Sequence, residues 1–251
     1  MRKHIPNIIT CLNLVCGTCA VILTLWGFYW PAFCFILAGA VFDFCDGAAA
    51  RLLKAYSNIG KELDSLCDLV SFGLAPALMF FSWYYKINNA YPSFLAFIAL
   101  LIVPFSALRL AKFNLDERQT KSFLGLPTPA LAMMVGAITA HSHLCIESGI
   151  DTFLLQLMQS SWFIPVLSVV LSLLLVSEIP MFSLKGKGEN KAMAMAKQLF
   201  PIGIVLIAIF WCIFAPKQLP ILADCFAVLS LTFFAYLILQ LILPIFVRRS
   251  K

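Results

Sequence analysis

The sequence predicts an all-α integral membrane protein of about eight transmembrane helices with both termini cytoplasmic, and three observations carry that expectation. Hydrophobic residues make up 62% of the 251 residues and charged residues only 12%, whereas about a quarter of a soluble domain is charged. The apolar residues fall in continuous runs of about 20, long enough to cross a bilayer as a helix. They do not alternate as barrel strands must, and a helix satisfies its own backbone amides in hydrocarbon. Finally, the basic residues segregate to one side of the membrane once these runs are threaded through it.

The runs lie near 8–28, 31–53, 61–81, 91–111, 127–146, 162–182, 198–214 and 221–246, joined by short loops. With the N-terminus inside, 16 of the 18 Lys and Arg face the cytoplasm, and only Lys86 and Lys217 face outward. Losing one span would scramble this bias. The net charge of +6 therefore reads as topology and attraction to anionic lipid. No basic helix or aromatic-interleaved patch stands outside the membrane, so nucleic acid is not an expected partner. The whole chain, 1–251, reads as one membrane domain, with a motif-bearing core over about 5–185 and a C-terminal helix pair over about 198–246. Nine cysteines are scattered through apolar segments, which argues against a disulfide framework. Cys16 and Cys19 form a C-x-x-C without the strand–helix context of a redox motif. Met1-Arg2-Lys3 before an apolar stretch suggests a signal peptide, but no small-residue cleavage site follows. Polar Asn7, Thr10 and Asn13 interrupt the stretch, so it reads as part of the folded protein.

Four of the 12 acidic residues, Asp43, Asp46, Asp64 and Asp68, fall within 26 residues in or beside two hydrophobic spans. An ionisable group in a span costs about 2.5–3.5 kcal/mol on insertion scales. Asp43 and Asp46 are i,i+3 and share a helix face; Asp64 and Asp68 are i,i+4 and share another. The turn between the helices lies around 55–58, where Ser57 or Asn58 is suited to cap the second helix. At 1.5 Å per residue both couples sit roughly 12–20 Å along their helices from that turn. In an antiparallel pair they converge at similar depth. Converging carboxylates repel unless a cation neutralises them, and all-oxygen ligands suit Mg²⁺, Mn²⁺ or Ca²⁺. Four negative charges match two divalent ions, a device suited to phosphoryl displacement. Gly47, Ala48, Ala49, Ala50 and Gly60 leave room for close approach. Arg51 is placed to pair with a phosphate, or merely to anchor the helix end.

Read in order, Asp43-x-x-Asp46-Gly47-x-x-Ala50-Arg51-x8-Gly60-x3-Asp64-x3-Asp68 resembles the signature of the CDP-alcohol phosphatidyltransferase family, without departures. That resemblance implies a helical membrane fold that exchanges the CMP of a CDP-linked lipid for an alcohol. It implies that Asp43, Asp46, Asp64 and Asp68 hold two divalent cations, Mg²⁺ or Mn²⁺, with Ca²⁺ as a non-productive occupant. Asp68 is implied as the base towards the alcohol, and Gly47, Arg51 and Gly60 as contacts of the CDP-lipid.

Further motifs resemble the serine-using branch of that family: Pro6-Asn7-Ile8-Ile9-Thr10-x-x-Asn13-Leu14-x-x-Gly17, Ser71–Ala77, Arg109–Asn114, Phe123–Ala130, and Glu178-Ile179-Pro180 with Lys185. The likeness implies CDP-diacylglycerol and L-serine as substrates in phospholipid synthesis. It adds Asn7, Thr10 and Asn13 to the CDP-lipid contacts. Arg109, Lys112 and Lys121 are candidates for serine's carboxylate, and a homodimer in a bacterial cytoplasmic membrane, active site inward, is expected. Two alternatives stay open: a sibling transferase using glycerol phosphate or inositol phosphate, and a non-enzymatic cation or proton transporter. Gly47, Gly60 and Arg51 at motif spacing, and the lack of an internal repeat, speak against the transporter. His141 and His143 are i,i+2 and read as interfacial; Glu147 and Asp151 read as solvated loop charges on the far side.

Overall fold

The computed structural model describes residues 4–55, 57–88, 94–115, 123–181 and 191–249. Helix α1 (Ile5–Leu25) starts with Pro6 in its first turn, where the missing N–H costs nothing. Helix α2 (Tyr29–Leu52) follows after a turn at Gly27. Helix α3 (Asn58–Asp68) is capped by Ser57, whose Oγ accepts the Gly60 N–H at 3.0 Å, so the expected cap is present. A π turn (Leu69–Leu74) then carries the chain into α4 (Ala75–Asn88). A single turn α5 (Phe94–Phe97) and a 3₁₀ turn lead into α6 (Ile102–Leu115). Helix α7 (Thr128–Ser148) has proline in its first turn and ends at Gly149 in the left-handed conformation, φ 66°. The chain continues through α8 (Phe153–Gln159), α9 (Phe163–Val176), α10 (Lys191–Phe214) and α11 (Ile221–Arg249).

Six helical stretches among the described residues are long and apolar enough to span a membrane: Ile5–Leu25, Tyr29–Leu52, Asn58–Ile87, Phe94–Leu115, Thr128–Ser148 and Ile221–Ile242. A seventh candidate is the pair α8 and α9, bent by 89°. The sixth expected run, 162–182, is thus α9 alone, because polar Gln159-Ser160-Ser161 breaks the helix ahead of it. The seventh, 198–214, falls within α10, which carries Pro201 inside and the apolar stretch Phe200–Phe214. The outer surface remains apolar, with Val15, Phe44, Leu66 and Phe210 exposed as lipid contact demands.

Helix α7 is the most enclosed of the candidate spans and packs against α2, α4 and α11. Tyr29 and Trp83 meet edge to face at 5.1 Å beside it, both fully buried. Gly136 lets α2 approach α7 closely, because any Cβ there would overlap the Phe33 ring. Two short strands, β1 (Phe123–Leu124) and β2 (Pro180–Met181), pair antiparallel, with Phe123 opposite Met181. Gly125, at φ 75°, turns the chain so that its own N–H reaches Ile179 O and the Leu126 N–H reaches Leu174 O. The two late sequence motifs, 123–130 and 178–180, therefore hold each other, and together they set the start of α7.

Candidate functional site

Asp43, Asp64 and Asp68 converge from α2 and α3, each offering a carboxylate oxygen within 4.8 Å of the others. Asp68 is buried, and Asp43 and Asp64 are half-buried. The backbones of α2 and α3 make little direct contact; α1 packs on both and joins them. The carboxylates thus meet across a gap between the two helices, where a polar stripe of α1 orients them. Thr10 Oγ1 donates to Asp46 Oδ2 at 2.6 Å, and Asn13 Nδ2 donates to Asp68 Oδ1 at 3.1 Å. Asn13 is itself tied down, since Ser71 Oγ in the π turn donates to its backbone oxygen at 3.0 Å. Gly17, one turn further along α1, makes this possible, because any Cβ there would overlap Ser71 Oγ.

Thr10 and Asn13 thus meet the carboxylates themselves, a role the expectation of CDP-lipid contact did not contain. Asp46 lies outside the trio but lines a cavity of about 170 Å³ with Asp64, Asn7, Gly47, Gly60 and Lys61. A Cβ built at Gly47 would meet only Arg51 Nη1, at 3.9 Å, so the glycine opens onto free space. At Gly60 a Cβ would crowd Asn7 Oδ1 at 3.0 Å. The residues fit divalent cations: the donors are all oxygen, three of them within reach of one ion, and Asp64 Oδ1 is buried without a hydrogen-bond partner. Among the described residues no lysine or arginine is paired with these carboxylates.

Arg109 projects from α6 into the bundle and is 8% exposed. Its Nη1 donates to Thr128 Oγ1 at 3.1 Å, while Nε has no partner. It lies within electrostatic reach of Asp68. Lys112 is exposed at the end of the same helix; Lys121 and Lys185 lie outside the described residues.

His141 and His143, expected near the membrane interface, are both buried inside the bundle. The His141 Nδ1–H reaches the Ala223 carbonyl of α11 at 2.9 Å, and Nε2 accepts from Thr152 Oγ1 at 3.0 Å. The ring therefore locks α7, α8 and α11 together. Their i,i+2 spacing suggested no common helix face, but α7 is enclosed on all sides, so both faces are interior. This end of the bundle is opposite the aspartates: Lys86 stacks over Tyr29, at the start of α2, with its Nζ 5.3 Å from the ring centroid.

Residues 3–174 match the sequence model of a family described as CDP-alcohol phosphatidyltransferase. The chain is 39% identical over 143 residues to a CDP-diacylglycerol–serine O-phosphatidyltransferase of Bacillus subtilis, covering 52% of this chain and 72% of that one. It is 31% identical over 210 residues to the protein of that name from Methanocaldococcus jannaschii, covering 83% and 89% respectively. The Saccharomyces cerevisiae protein of that name is 36% identical over 164 residues, 59% of this chain and 56% of its own length.

Proposed function

Because the chain belongs to the CDP-alcohol phosphatidyltransferase family, we propose that it transfers the phosphatidyl group of CDP-diacylglycerol to the hydroxyl of L-serine and releases CMP. The observation that carries this reading is the convergence of Asp43, Asp64 and Asp68 beside a cavity opened by Gly47. The names of relatives from bacteria, an archaeon and yeast support serine as the acceptor.

Asp43, Asp46, Asp64 and Asp68 would hold two divalent ions, Mg²⁺ or Mn²⁺. Such ions polarise phosphate oxygens and stabilise charge on attacking and leaving oxygens. The protein's own groups do the rest. Asp68 is the base: Asn13 holds one carboxylate oxygen, leaving the other to take the proton from the serine hydroxyl. The serine oxygen then attacks the phosphorus bearing diacylglycerol, and the bond to the CMP phosphate oxygen breaks. Gly47 and Gly60 leave space for the CDP headgroup, with Asn7 at the wall and Arg51 near the phosphates. Arg109 receives the serine carboxylate, its buried Nε supplying an unpartnered donor; Lys112 and Lys121 are alternative or additional cations. Holding both substrates in this geometry supplies much of the rate. The protein acts as a homodimer in a bacterial cytoplasmic membrane with the carboxylates towards the cytoplasm, a reading supported by the family resemblance and the bias of Lys and Arg.

The test is CMP release by the purified protein with CDP-diacylglycerol and Mg²⁺ or Mn²⁺. Serine is compared with glycerol 3-phosphate, inositol phosphate and no alcohol. Release that requires both metal and serine is the expected outcome. Metal-dependent release with another acceptor keeps the family chemistry and removes serine.

A further inference from the structure

Lys61 is the one cation among the described residues lining the cavity that holds Asp46, Asp64 and Gly47. It follows Gly60 directly and precedes Asp64 by three positions, so it shares a helix face with that carboxylate. Its Nζ donates to the backbone oxygen of Asn114 at 2.8 Å. The Asn114 Nδ2 donates to Ser65 Oγ at 2.9 Å, and Ser65 Oγ donates back to the Lys61 carbonyl at 3.3 Å. This closed ring fastens the first turns of α3 to the last turn of α6. It also accounts for Asn114, the end of a motif that the chemistry above leaves without a task. An ammonium has three donors; the Asn114 carbonyl takes one, which leaves two for a ligand in the cavity that Lys61 lines.

We propose that Lys61 is the phosphate-binding cation of the nucleotide side. Held by the Asn114 carbonyl, its ammonium donates to a phosphate oxygen of the CDP headgroup and keeps that contact as CMP leaves. A plain membrane anchor would have no need of a fixed backbone acceptor holding its ammonium on the protein. The inference rests on reading this cavity as the CDP-lipid site.

The experiment compares wild type, Lys61→Met, Lys61→Arg and Asn114→Ala as full-length protein in detergent with Mg²⁺. CMP affinity is measured by calorimetry, and KM separately for CDP-diacylglycerol and serine. Lys61→Met is expected to weaken CMP about ten- to a hundred-fold, the loss of a hydrogen bond to a charged group. KM for CDP-diacylglycerol should rise in parallel while KM for serine stays within about twofold. Lys61→Arg should recover most of the CMP affinity. Asn114→Ala keeps the carbonyl and loses only the link to Ser65, so its CMP affinity should stay near wild type. Unchanged CMP affinity in Lys61→Met overturns the proposal, as does a loss that Lys61→Arg leaves unrepaired while the melting temperature also falls. Wild type that binds no CMP would instead sink the reading of the cavity itself.

Discussion

Asp68 is buried, carries one hydrogen bond from Asn13, and shares its oxygen cluster with Asp43 and Asp64. Replacing it with asparagine removes the proton acceptor while keeping the shape. Asp68→Asn is therefore expected to lower serine-dependent CMP release by at least about 10²–10⁴-fold, the usual worth of a positioned base, while CMP still binds. Turnover near wild type would take Asp68 out of the role of base. Asn13→Ala leaves the carboxylate but frees its orientation. Groups that hold metal ligands are typically worth about ten- to a hundred-fold in metal affinity or activity, so this variant should need about tenfold more Mg²⁺ for half-maximal turnover. A metal titration unchanged from wild type would mean that Asn13 serves only packing. The meeting of Asp43, Asp64 and Asp68 was readable in advance because spacing within a helix fixes which side chains share a face; that Asp46 would turn to Thr10 instead was not. The tasks of Thr10 and Asn13 were not: they depend on how α1 docks between α2 and α3, a long-range contact with no local periodicity. Lys61 went unseen for the same reason, since its partner lies 53 positions away.

Helix α1 acts as the spine of the site, and its fit to the π turn rests on one missing side chain. Gly17→Val would overlap Ser71 Oγ. Overpacking costs about 1–3 kcal/mol, and Ser71 would lose its hold on the Asn13 carbonyl. The expected result is a lower melting temperature together with reduced turnover. At the opposite end, His141 joins α7, α8 and α11 far from the carboxylates. His141→Ala strands buried groups at about 1–3 kcal/mol, so it should lower the melting temperature while leaving KM for both substrates unchanged. A change in KM would show that the C-terminal helices reach the site. Such opposite signatures separate two kinds of buried polar residue that look alike in sequence. Most spans were legible from length and apolarity alone. The bend between α8 and α9, the π turn after Asp68 and the β1–β2 ladder were not. Each is a local departure forced by packing against neighbours, and apolar composition is blind to it.

On the scale of the whole molecule, parity decides the topology: an even number of crossings returns the C-terminus to the side of the N-terminus, and an odd number does not. The decision falls on α10. Its apolar part is short, yet the full helix has 24 residues, about 36 Å at 1.5 Å per residue, enough to cross. Trp211 Nε1 donates to Asp224 Oδ1 at 2.8 Å, pinning the end of α10 to the beginning of α11. Ala223 next to that bond accepts from His141, at the end of the bundle opposite the aspartates. Lys217 therefore lies at the far end, and α11, 29 residues long, runs back from there. A single lysine in the α10–α11 turn, with Arg248, Arg249 and Lys251 gathered at the other end of α11 in the sequence, follows the positive-inside pattern. Eight crossings are expected on this argument, with α10 one of them. Green fluorescent protein fused after Lys251 should fluoresce, and alkaline phosphatase at that position should be inactive. The phosphatase inserted at Lys217 should be active. Phosphatase activity at the C-terminus instead would mean an odd count and would place the two ends of the chain on opposite sides of the membrane.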